Sequence, residues 1–75
     1  MLKIKSDKMG ELEKFGFSTY VFSDYYDRGI DNKIMISVGK ITGIIYRTNV
    51  MTCSKPLKSK KHIQDLIKAD LIEEV

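Results

Sequence analysis

A chain of 75 residues, 43 % hydrophobic and 31 % charged, makes one small domain, 1–75, with a thin core. Its single cysteine, Cys53, and single histidine, His62, exclude an internal disulfide and a Cys/His zinc centre. Thirteen Lys and Arg against ten Asp and Glu leave a net charge of +3, which favours solubility and is a weak signal for nucleic acid.

In chain order, Ser6 precedes DKMGELEKFG. It is a candidate N-cap, with Asp7 placed where a helix dipole favours negative charge. Met9, Leu12 and Phe15 share one face, and Gly16 provides a left-handed stop. The spacing predicts a short helix over 7–15, weakened internally by Gly10.

FSTYVFSDYY, residues 17–26, is rich in aromatic and β-branched residues and predicts a strand. One alternating set is Phe17, Thr19, Val21 and Tyr25; the other is Tyr20, Phe22 and Tyr26. Both are substantially apolar, so alternation does not choose the buried face. DRGIDN, 27–32, has the composition of a turn.

KIMISVGKITGIIYR, 33–47, predicts a hairpin. Ile34, Ile36 and Val38 alternate with Met35 and Ser37, Gly39-Lys40 makes a two-residue turn, and Ile41 to Arg47 returns. NVMTC reads as a strand extension or a loop, and Pro56 interrupts regular hydrogen bonding. From Ser59, a second N-cap candidate, Ile63, Leu66, Ile67 and Leu71 restore helical spacing to about Ala69-Asp70, leaving LIEEV as an extended tail. The expected fold class is α+β: an N-terminal short helix, a three-stranded antiparallel meander and a C-terminal helix.

LEKFGF (12–17), the glycine-turned hairpin and IQDLIKADLIEEV (63–75) resemble the ends of small proteins encoded by phages and prophages of Gram-positive bacteria. Those open with L-x-K-x-G-F and close on apolar-x-D-L-I-x-A-G-L-apolar-E. Here Asp70 replaces the usual glycine of the helix stop. The resemblance covers about a third of the chain, through structural residues. It implies a fold and a bacterial host. Some phage proteins of this size bind a host protein, including nucleases of bacterial immunity.

Four residue groups invite a functional reading. Tyr20, Phe22, Tyr26 and Tyr46 would offer an aromatic protein-binding surface on an uncovered sheet face. Lys55, Lys58, Lys60 and Lys61 fall within seven residues. They are either a solvated entrance to a helix or a phosphate contact assisted by the helix N-terminus, although positive charge there opposes the helix dipole. Cys53 and His62 lack an orienting third group and an oxyanion site. Asp24, Asp27 and Asp31 lack the spacing of a calcium loop.

No phosphate loop, nucleophile elbow or dinucleotide fingerprint occurs. The expectation is a non-enzymatic phage- or prophage-type accessory protein without cofactor or metal that acts by binding a host or phage protein, in its sharper form as an anti-immunity inhibitor; the alternative is a small nucleic-acid-binding module using the Lys55–Lys61 cluster. The lone reduced cysteine predicts a cytoplasmic setting. The absence of an apolar run of about 20 residues predicts no membrane span, MLKIKSDKMGELEK contains no signal-peptide core, and the thin core makes a homodimer a natural support.

Overall fold

A computed structural model describes residues 1–49 and 52–75, without the side chains of Thr52 and Cys53. The chain begins with strand β1 (Leu2–Ile4) and a helical segment over Ser6–Phe15. Strands β2 (Tyr25–Gly29), β3 (Ile34–Gly39), β4 (Ile45–Asn49) and β5 (Thr52–Pro56) follow. A helical turn at Lys61–Ile63 runs into helix α1 (Gln64–Lys68), and strand β6 (Ile72–Glu74) comes last.

The first helical segment has 3₁₀ geometry. This accounts for the spacing of Met9, Leu12 and Phe15, because a 3₁₀ helix repeats every three residues and brings i and i+3 onto one line. Leu12 is fully buried, and Met9 and Phe15 pack against the same core. Gly16 ends the segment at φ 87°, with the Phe17 N–H donating to the Leu12 carbonyl at 3.2 Å. The expected Ser6 cap is not made. Lys5 holds the cap position without a side-chain hydrogen bond, and its carbonyl accepts from the Lys8 N–H.

The expected three-stranded meander is corrected to a four-stranded antiparallel sheet, β2-β3-β4-β5, plus a two-stranded sheet, β1-β6. The fourth strand arises because Thr52–Pro56 pairs with β4, with Pro56 on the outer strand, where a missing N–H is tolerated. The second sheet arises because the tail is not free: Leu2, Lys3 and Ile4 pair with Glu74, Glu73 and Ile72. Backbone bonds between Met1 and Val75 continue this pairing.

The predicted 17–26 strand is also corrected. Ser18 and Asp27 exchange two backbone hydrogen bonds of 2.9 Å, and the chain between them folds through a turn before β2 begins. Strand pairing then runs through Gly29, so the turn is confined to 30–33. There Asp31 Oδ1 accepts from the N–H groups of Lys33 and Ile34 at 2.7 and 2.9 Å.

The β3–β4 hairpin forms, but its connection is longer than the expected Gly39-Lys40 turn. Val38 pairs with Ile45, and the Gly39 N–H donates across to Ile44 O. The longer loop lets Gly43 receive β1: the Ile4 N–H donates to Gly43 O at 2.9 Å. Gly43 has φ 73°, and a Cβ there would stand 2.8 Å from the Ile4 carbonyl oxygen.

One face of the large sheet is buried. Ile36, Val38 and Ile45 join Leu2, Ile4, Leu12, Phe17, Leu57, Ile63, Leu66 and Leu71 in a common core. Tyr26 and Arg28 face the same way by register, opposite Val38 and Ile36. The other face carries Tyr25, Asp27, Met35, Ser37, Tyr46 and Thr48. Ser37 donates to Asp27 Oδ1 at 2.7 Å across it.

The second helix is shorter than expected, because its first turn is 3₁₀ and only Gln64–Lys68 is α. Ser59 Oγ accepts from the Lys61 N–H at 3.2 Å, as a cap would, and Asp70 stops the helix at φ 62°. The Leu71 N–H donates to Leu66 O at 3.0 Å, closing the left-handed end. No helix of the described residues is long and apolar enough to cross a membrane.

Candidate functional site

The turn between Ser18 and Asp27 presents large apolar side chains to solvent. Tyr20 is 73 % exposed, Val21 87 % and Phe22 94 %. Across from it, the β3–β4 loop presents Ile41 at 95 %. Apolar groups this exposed contribute nothing to the core and mark an interaction surface when they cluster.

The turn is held from inside by polar groups. The Ser23 N–H donates to Tyr20 O at 2.9 Å. Thr19 Oγ1 and Ser23 Oγ donate to Tyr25 O at 2.7 and 3.0 Å. Lys40 joins the turn to the loop: its N–H donates to Asp24 O at 2.9 Å and its ammonium to Tyr20 O at 3.1 Å. The same ammonium lies 5.7 Å from the Tyr26 ring centre. The apolar side chains therefore sit on a braced backbone.

Beside the turn, Asp24, Tyr25, Lys40, Ile41, Thr42 and Tyr46 line a shallow depression of about 150 Å³. Tyr25 and Tyr46 meet edge to face across it, with centres 6.1 Å apart at 81°.

The four aromatic residues singled out in the sequence thus occupy three places. Tyr20 and Phe22 share the exposed turn. Tyr46 stands on the open sheet face against Tyr25. Tyr26 turns inward and packs on the core. Val21 and Ile41 join this exposed surface without an aromatic signal in the sequence. The signal for the turn was present in its flanks: Ser18-Thr19 and Ser23-Asp24 bracket the apolar residues, and such side chains draw the backbone out of strand pairing.

The lysine cluster is divided as well. Lys55, Lys58 and Lys61 line a groove of about 670 Å³ together with Arg47 and His62. Lys60 lies outside it and approaches Glu74 at 3.9 Å. The expected assistance from a helix N-terminus does not hold, since a 3₁₀ turn leads into an α-helix of only five residues.

Among the described residues, no three His, Cys, Asp or Glu side chains gather to hold a metal. The Cys53–His62 pairing lies outside the described residues through the Cys53 side chain. Compared with known family models, curated proteins and solved structures, the chain matches none.

Proposed function

We propose that this is a non-enzymatic binding protein that occupies a surface of another protein through the braced turn at Tyr20, Val21 and Phe22 together with Ile41. The observation that carries this reading is the exposure of these four side chains, each 73 % or more, on two loops joined by Lys40. Such a turn loses little entropy on binding because its backbone is already fixed, and its rings supply large contact area. The resemblance of 12–17 and 63–75 to phage and prophage proteins supports the setting: an accessory protein in a bacterial cytoplasm that inhibits a host protein by covering it.

The test is the affinity of the captured partner for the wild-type chain and for Phe22→Ala. A central aromatic anchor contributes about 2 kcal/mol or more, so the variant binds about 30-fold more weakly. Unchanged affinity rules out the turn as the docking element. Sedimentation of the purified chain examines the other occupant of this surface, a second copy: a dimer abolished by Phe22→Ala reassigns the turn to self-association.

A further inference from the structure

We infer that the groove between β4–β5 and the Lys61–Ile63 turn is a second binding surface, and that it takes the phosphate backbone of a nucleic acid. Arg47 comes from β4, Lys55 from β5, Lys58 from the following loop and Lys61 from the start of the helical turn. These distant segments bring four cationic side chains around one concavity, lined by no carboxylate among the described residues.

Lys3, Lys5, Lys14, Arg28 and Lys60 each stand within 4 Å of a carboxylate. Among the described residues, Arg47, Lys55, Lys58 and Lys61 have no such neighbour. Lys8, Lys33, Lys40 and Lys68 likewise have no carboxylate within 4 Å among the described residues, so what sets the groove cations apart is that they converge on one concavity. Bringing like charges together without counter-charge is unfavourable, and an anion in the groove relieves it.

A nucleic acid fits best among polyanions. Its charges repeat along the strand, so several cations around one concavity can each meet a phosphate. The concave shape suits a strand and not a flat bilayer. Lysines neutralise phosphates without reading bases, so binding is independent of sequence. The groove opens at the β5 side of the sheet and the apolar turn leads into β2 at the opposite edge, so the two surfaces share no residue.

The test is fluorescence anisotropy of labelled oligonucleotides, single-stranded and duplex, titrated with the chain at several KCl concentrations. Four phosphate contacts predict a log–log salt slope of about −2.8 for a single strand and about −3.6 for a duplex. Between about 50 and 200 mM KCl, the affinity falls about 50-fold or about 150-fold, respectively. Neutralising two groove lysines in K58Q/K61Q reduces the slope magnitude by about 1.4 for a single strand or 1.8 for a duplex, while K60Q, outside the groove, leaves it unchanged.

No binding at the lowest salt overturns the inference. So does a slope insensitive to K58Q/K61Q, or one that K60Q reduces equally. Vesicles rich in phosphatidylserine provide a further arm: binding to them without binding to either oligonucleotide assigns the groove to a membrane surface and also overturns it.

Discussion

Arg28 and Asp65 stand 37 residues apart in sequence and meet in a forked ion pair, with Nη1 2.7 Å from Oδ2 and Nη2 3.3 Å from Oδ1. The same guanidinium donates to Phe15 O at 2.9 Å and to His62 O at 2.6 Å. It lies 4.7 Å from the Phe17 ring centre. One side chain thus ties the first helical segment, β2 and the second helix together. The planar fork of arginine matches this set of acceptors, and an ammonium does not.

Arg28→Ala is expected to lower stability by about 2–3 kcal/mol, the scale of losing charge-assisted hydrogen bonds to partly buried acceptors. The figure stays below that of a fully buried pair because Asp65 is 47 % exposed and water screens it. Arg28→Lys recovers less than half, since it keeps the charge and loses the fork. Urea unfolding of the three chains measures this, and equal midpoints for all three refute the role of Arg28.

Acid should weaken the same contact. Burial pushes the Asp65 carboxyl up, but the hydrogen bonds and charge of Arg28 outweigh it and hold the pKa below the usual 3.8. A carboxylate lowered in the folded state stabilises the fold above its unfolded pKa, and that stability is lost as pH falls through the folded value. Asp31, lowered mainly by its hydrogen bond from the Lys33 N–H, and Asp70, lowered mainly by its hydrogen bond from Lys5, act in the same window. Thermal midpoints from pH 6 to about 2 should therefore fall less steeply for Asp65→Asn than for wild type, with the two curves converging at the acid end. Parallel curves contradict this.

Gly43→Ala should cost about 2 kcal/mol or more, combining the left-handed conformation with the approach of Ile4 O. Chemical denaturation checks it. An unchanged midpoint means that β1 does not seat on the β3–β4 loop as described.

Asp70 makes the opposite case. Asp70→Gly should leave the thermal midpoint close to that of wild type, because glycine adopts φ 62° freely while the exposed pair with Lys5 at 2.9 Å is lost. Asp70→Val should lower it by about 4–8 °C, since a β-branched residue resists that conformation. Calorimetry of both variants reads the difference directly, and a Val variant as stable as Gly would show that the helix stop is not left-handed.

Local signals carried much of this fold. Gly16 and Asp70 mark both left-handed stops, and alternation through Ile34, Ile36 and Val38 marks the central strand. The three-residue spacing of Met9, Leu12 and Phe15 is the repeat of the 3₁₀ segment, although it also suits one face of an α-helix. What local pattern could not supply was pairing between distant segments. The tail LIEEV becomes a strand only because Leu2–Ile4 lies beside it, and Arg28 resembles any turn arginine until Asp65 and His62 arrive. The candidate site divides the same way. Aromatic composition identified Tyr20 and Phe22, whereas Ile41 joins them through a loop contact made by Lys40. Lys58 and Lys61 separate from Lys60 only when the groove forms with Arg47.

The most direct test is parallel capture from a nuclease-treated bacterial lysate by three tagged chains: wild type, Y20S/F22S and K58Q/K61Q, each checked for folding by circular dichroism. The account predicts one protein retained by wild type and by K58Q/K61Q and lost from Y20S/F22S. Equal retention by the folded turn variant, or no protein retained by wild type, would contradict it.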